Sequence, residues 1–135
     1  MPVTYRIADD VLTLELAGRY EIADIPRQLV AGLDDPVCPR PASLLIDVSR
    51  SEELAQRPTA DILRIAAMLG PHAERIGGRC AVFAPSPVHF GLSRMGSHAA
   101  ESVGVEARVF RTREAALRWL RGEPGDGGPV DPAND

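Results

Sequence analysis

The sequence has no lysine, few aromatic residues and no long apolar run, and each absence narrows the choice of function. All 15 basic residues are arginines, which we interpret as a coding bias rather than a functional signal. With one Trp, two Tyr, three Phe and a net charge of -4, the chain lacks a basic, aromatic surface, so we predict no nucleic-acid partner. No stretch reaches about 18 consecutive apolar residues, so we predict no transmembrane segment.

Cysteine and histidine are also scarce, and their spacing argues against a disulfide framework or a metal centre. Cys38 and Cys80 are far apart and form no Cys-x-x-Cys pair, which predicts reduced thiols and a cytoplasmic protein. His72, His89 and His98 lack a metal-ligand spacing such as HExxH. We therefore predict no metal site, and no motif points to a cofactor.

Length and composition predict one folded domain followed by a polar tail. A chain of 135 residues, 44% of them hydrophobic, is long enough to bury a single core. The start of the sequence lacks the basic and apolar regions of a signal peptide. Residues 122–135 are rich in Gly, Pro and Asp, so we predict a domain over residues 1–121 and a disordered tail over residues 122–135.

Hydrophobic periodicity predicts strands that alternate with helices after an initial hairpin. The predicted order is strand, strand, helix, strand, helix, strand, helix, strand and helix, at about residues 3–7, 11–17, 24–34, 43–48, 59–69, 79–84, 87–103, 105–110 and 113–121. Strand–helix–strand units favour parallel pairing through right-handed crossovers. The fold class is therefore α/β, with a mixed five-stranded sheet, an N-terminal hairpin and about four covering helices.

Three local patterns refine this prediction. Asp24 is expected to cap the first helix, and Ser49 with Glu52 has the spacing of a capping box, which predicts a helical turn directly after the central strand. In the helix that begins after Ser86, an apolar stripe that starts at Val88 is expected to face the core.

A candidate binding site lies where the parallel strands end, since ligands of open α/β sheets bind beyond the carboxyl ends of the strands. Arginine side chains and free backbone amides at this edge could bind an anion. Ordinary helix capping explains the serines and the threonine of the site equally well. The candidate ligand or partner loops comprise Asp47, Ser49, Arg50 and Ser51 after one strand, Ser86 and His89 after another, and Thr112 and Arg113 after the last.

No complete catalytic set is visible, so we name no catalytic residue. The segment 91–97 imitates the glycine spacing of a phosphate-binding loop, but it lacks the lysine and lies inside a predicted helix. Ser93 does not sit on the sharp strand-to-helix turn of a nucleophile elbow. An enzyme that sequence reasoning does not recognise stays an alternative.

Two segments, together with the element order, resemble the bacterial SpoIIAA-like proteins that are grouped with STAS and SEC14-type domains. The strand at residues 44–49 ends in an aspartate and a serine, like the central strand of STAS domains. Val109 and Phe110 are followed by a Glu-Ala-x-x-x-Trp-Leu helix at residues 114–120, which is similar to the closing strand and helix of that group.

The resemblance implies a non-enzymatic regulatory module that contacts a protein partner or a second copy of itself. The resemblance to SEC14-type domains implies an alternative function, the binding of a small apolar or lipid-like ligand in a pocket. In STAS antagonists of anti-sigma factors, a serine in an Asp-Ser-Ser/Thr-Gly motif after the central strand is phosphorylated. Residues 56–61 lack that motif, and Thr59 is the positional counterpart, as a candidate phosphoacceptor or simply as a helix cap.

Overall fold

A computed structural model of the chain describes residues 3–52, 56 and 59–122. The predicted tail lies, from residue 123 onward, outside the described residues. The strands and helices are β1 (Val3–Ala8), β2 (Val11–Gly18), α1 (Asp24–Leu33), β3 (Ser43–Ser51), α2 (Thr59–Ala67), β4 (Arg79–Phe83), α3 (Pro87–Glu101), β5 (Glu106–Phe110) and α4 (Arg113–Leu120). Two single-turn 3₁₀ helices, Gly70–His72 and Glu74–Ile76, connect α2 to β4.

The five strands form one mixed sheet in the order β1-β2-β3-β4-β5. β1 and β2 pair antiparallel, and the three remaining pairs are parallel. The predicted fold class is therefore confirmed. Because β2 to β5 run the same way, their carboxyl ends meet at one side of the sheet, which we call the carboxyl edge.

The hairpin between β1 and β2 depends on two aspartates in left-handed backbone conformations. Asp9 and Asp10 have φ angles of 54° and 65°, and they connect the paired residues Ala8 and Val11. Two-residue hairpin loops favour such conformations because their twist matches that of the strands, and aspartate tolerates them better than most residues do.

The core has two layers because successive side chains of a strand point to opposite faces of the sheet. Leu44 packs in the larger cluster with side chains of α1, α2 and α3. Leu45 packs in the smaller cluster with Ala116 and Leu120 of α4. Both leucines of β3 are 0% exposed, so this strand is covered on both faces, as its continuous apolar sequence predicts.

The closing helix α4 is held by the aromatic residue that the family resemblance singled out. The rings of Trp119 and Phe110 have centroids 5.8 Å apart, and the Arg79 guanidinium lies 4.2 Å from the Trp119 ring centroid. Arg79 also donates a hydrogen bond to the Trp119 carbonyl. These contacts fix the end of α4 against β4 and β5.

The three local predictions need correction. The capping box at Ser49 and Glu52 is wrong, because β3 stays extended through Ser51, which pairs with Gly18 of β2 after a register shift. Asp24 is not the cap of α1: Ala23 occupies that position, and the Asp24 carboxylate accepts a hydrogen bond from the Glu21 amide instead.

The predicted apolar stripe of α3 is wrong at its start. Val88 is 56% exposed, whereas Phe90 and Ser93 are buried. Side chains two positions apart in an α-helix point in directions that differ by about 200° around the helix axis. A helix that buries Phe90 therefore turns Val88 toward solvent. Ser93 is buried although it is polar, because its position on α3 faces the sheet.

Both cysteines are free and buried. No helix of the described part has the length and apolar character needed to cross a membrane.

The burial of Cys80 predicts a loss of stability at high pH. Burial raises the pKa of this thiol from 9.0 to about 12. Because the folded-state value is the higher one, the contribution of the protonated thiol to stability is complete below pH 9 and is lost as the pH rises toward 12. We expect the free energy of unfolding to fall by about 1.4 kcal/mol for each pH unit in this range from this thiol alone, as measured by urea denaturation.

Two variants separate this thiol from other groups. Cys80→Ala should flatten the dependence, whereas Cys38→Ala, which alters a loop thiol whose pKa burial also raises, should keep most of it. Tyr5 adds to the slope above pH 10, since its hydrogen bond to Asp35 raises the phenol pKa. Equal slopes for the Cys80→Ala variant and the wild type would contradict the assignment.

Candidate functional site

Asp47 is the most connected carboxylate of the carboxyl edge. It is 8% exposed, and its Oδ1 accepts hydrogen bonds from the Ser49 amide at 2.9 Å and the Ser49 hydroxyl at 2.6 Å. Its Oδ2 lies 3.6 Å from a guanidinium nitrogen of Arg113. Three of the predicted site residues therefore meet here, and together they connect the end of β3 to the start of α4.

Ser51 belongs to a separate, buried contact. Its hydroxyl lies 2.7 Å from the Tyr20 hydroxyl, and both residues are 5% exposed. Sequence reasoning missed Tyr20, because nothing in its immediate neighbours indicates that the register shift of β2 brings it beside the end of β3.

Ser86 and Thr112 cap helices. The Ser86 hydroxyl accepts a hydrogen bond from the His89 amide at 3.1 Å, and the Thr112 hydroxyl accepts one from the Ala115 amide at 3.1 Å. The capping interpretation thus accounts for both side chains. The His89 Nδ1 atom is buried and has no hydrogen-bond partner within the described residues, although the side chain as a whole is half-buried.

An exposed apolar surface lies where β4 leads into α3. It consists of Pro85, Pro87 and Val88, all of them exposed, and we call it the Val88 patch. Directly after β5, at the same edge of the sheet, the Arg111 guanidinium lies 4.9 Å from the centroid of the Phe90 ring. Arg50 is exposed at the end of β3, on the same edge of the sheet.

Thr59 is the first residue of α2 and is exposed. The preceding residues 57 and 58 lie outside the described residues. The phosphorylation of Thr59 stays a prediction.

An apolar cavity of about 80 Å³ lies between the sheet and helices α1, α2 and α3. Leu14 and Ile46 of the sheet, Ile62 of α2 and Leu92 of α3 line it, and Ser93 adds a hydroxyl group to the wall. Pockets for drug-sized ligands measure about 300–1,000 Å³. In this conformation the cavity accommodates only a very small apolar group, and a larger ligand needs α2 and α3 to separate.

No cluster of three or more His, Cys, Asp or Glu side chains suited to a metal ion occurs among the residues that the structure describes.

The fold has a counterpart among solved structures. The chain is similar to the crystal structure of an uncharacterised protein of the DUF3478 family, with a SpoIIAA-like fold, from Shewanella loihica PV-4. The TM-score is 0.55 at 19% sequence identity, and the match covers 87% of this chain and 91% of that one. The chain therefore has a SpoIIAA-like fold, as the sequence resemblance predicted. No protein-family model and no curated protein matches the sequence.

The Asp47 contacts predict unequal effects of two substitutions. Asp47→Ala should lower the free energy of unfolding by about 2 kcal/mol, because it leaves the Ser49 donors without their charged acceptor. Arg113→Ala should cost less than about 1 kcal/mol, because its ion pair is long and its side chain is 36% exposed. Urea denaturation at neutral pH measures both values. Equal losses of stability for the two variants would instead show that Asp47 acts mainly through its ion pair with Arg113 of α4.

Proposed function

We propose that this protein is a non-catalytic regulatory module that binds a protein partner at its carboxyl edge, through the Val88 patch. The observation that carries the proposal is the exposure of Val88, 56%, at an edge where the polar side chains of Asp47, Ser51, Ser86 and Thr112 already have partners within the chain.

The Val88 patch has the character of a contact surface. Pro87 directly precedes Val88 and Pro85 lies two residues further back, so three exposed apolar residues fall within four positions of the chain. Exposed apolar residues that are scattered singly, by contrast, need no explanation. Arg111 lies at the same edge of the sheet, over the Phe90 ring. A partner that fits this arrangement offers an apolar side chain to Val88 and a carboxylate to Arg111.

The same geometry disfavours hydrolytic or transfer chemistry at this edge. A nucleophilic serine needs a base within hydrogen-bond reach. The Ser86 hydroxyl instead accepts from a backbone amide, and the Ser49 hydroxyl and amide both donate to the Asp47 carboxylate. These contacts support binding over catalysis.

The likeness to a SpoIIAA-like fold supports a regulatory role by analogy of fold alone. Thr59 is accessible for phosphorylation at the start of α2, where added negative charge is tolerated by the helix dipole. The two free thiols fit a reducing compartment such as the cytoplasm.

A pair of matched substitutions tests the partner surface. Val88→Asp should reduce recovery of a cross-linked partner from cells of the source organism by about tenfold or more, since a buried charge costs at least about 1.4 kcal/mol at an interface. Val37→Asp is the control, because Val37 is 71% exposed and lies in the loop between α1 and β3. Quantitative mass spectrometry measures the recovery, and an equal loss for both variants would contradict the proposal.

A second candidate function is the binding of a small apolar ligand in the cavity beneath α2 and α3. The supporting observation is its lining, which is almost wholly apolar and includes Ile62 and Leu92 on the two helices that would separate. An apolar cavity of this kind stays dry and gains from filling with apolar atoms.

Occupancy of the cavity can be measured directly. Native mass spectrometry of freshly purified protein should show a retained apolar ligand, and N-phenyl-1-naphthylamine should bind with increased fluorescence. Ser93→Leu, which places a side chain in the cavity, should weaken probe binding by about tenfold, whereas Ser102→Leu, at the exposed end of the same helix, should not. A clean apo mass together with no probe binding would exclude this function.

A further inference from the structure

β5 is an edge strand, since it lies at one end of the sheet. It pairs with β4 alone in the sheet. An edge strand presents a row of free amides and carbonyls that can pair with another chain. The hydrogen bonds of β5 identify which of its residues face outward.

The even-numbered residues of β5 turn their backbone groups toward β4. The Glu106 amide donates to the Gly78 carbonyl at 2.8 Å, and the Ala84 amide donates to the Phe110 carbonyl at 2.9 Å. Since backbone direction alternates along a strand, the amides and carbonyls of Ala107 and Val109 face away from the sheet. Within the described part of the chain, neither has a backbone partner outside the ladder.

The side chains beside these free groups carry opposite charges. Glu106 and Arg108 share one face of β5, with their charged atoms 3.3 Å apart and their side chains 51% and 52% exposed. One residue, Ala107, separates them. The sequence of β5 is therefore self-complementary about Ala107 when a second copy runs antiparallel to it.

We propose that β5 pairs antiparallel with β5 of a second copy of this chain, about a two-fold axis at Ala107, to form a continuous ten-stranded sheet. In this register the two Ala107 residues exchange two backbone hydrogen bonds. Val105 stays outside the pairing, since it is 1% exposed and its amide already donates to the Ala100 carbonyl.

The same register places Glu106 of each copy directly opposite Arg108 of the second copy. These are positions without mutual backbone hydrogen bonds, where opposed side chains approach most closely. Centring the pair on Val109 would instead set Arg108 against Phe110. Charge complementarity therefore selects the axis at Ala107.

The opposite edge of the sheet lacks this complementarity. β1 carries Thr4 and Arg6 at the corresponding alternate positions, so antiparallel pairing of two β1 strands brings no acid opposite an arginine. The Val88 patch contains no residue of β5, so a substitution at Val88 leaves the pairing strand unchanged.

Sedimentation velocity of the full-length chain tests the pairing, at concentrations up to about 1 mM because a five-residue strand gives a small, weak interface. The wild type should shift from monomer to dimer as concentration rises. Glu106→Arg and Arg108→Glu should each weaken dimerisation about tenfold or more, because each places like charges opposite one another twice. The double variant with both changes should restore the dimer.

Ala107→Pro removes the outward amide at the axis without removing a bond to β4, as edge strands permit, and should give a monomer. Circular dichroism checks that each variant is folded. A wild type that stays monomeric, single charge variants or a proline variant that dimerise like the wild type, or a folded double variant that does not recover would each overturn the proposal. Val88→Asp should leave the dimer intact, and its loss in that variant would assign self-association to the Val88 patch instead.

Discussion

The coverage of β3 on both faces is the constraint on which the rest of the structure depends. A strand with Leu44 packed under three helices and Leu45 packed under a fourth can be stable only at the centre of a sheet with two layers. Parallel neighbours then follow, because each connecting helix has to cross one of these faces and return the chain to the same end. The carboxyl edge is a consequence of this arrangement, and so is its concentration of helix starts and polar side chains.

The polar residues at that edge mainly hold the fold together. Asp47 is itself buried within β3, where a carboxylate needs partners to offset its lost hydration. Ser49 and Arg113 provide them. Ser86 and Thr112 satisfy backbone amides that would otherwise be unpaired at the first turns of α3 and α4. Val88 and Arg50 are among the residues left facing solvent at this edge, and they suit the partner contact that we propose.

The sequence was sufficient to predict features that depend on local periodicity, and insufficient for those that depend on rotation or register. The five strands, the four helices and the caps at Ser86 and Thr112 follow from patterns within about ten residues. Tyr20 beside Ser51 depends on the register shift in β2, and a capping-box spacing was misleading where β3 stays extended. The exposure of Val88 depends on how α3 is rotated on the sheet, which Phe90 decides by filling the core.

Helix α3 connects the three surfaces for which a role is proposed. Its first turn carries Val88, its middle supplies Leu92 and Ser93 to the cavity wall, and its length covers β5. A helix packed in a dense interior moves as a unit rather than bending residue by residue. An apolar ligand that separates α3 from α2 would therefore displace the Val88 patch as well. Because the cavity of the present conformation is too small for a larger apolar ligand, a state that holds such a ligand would place α3, and with it Val88, in a different position. The size of any effect on partner binding is limited by the difference in the ligand's affinity for the two positions of α3.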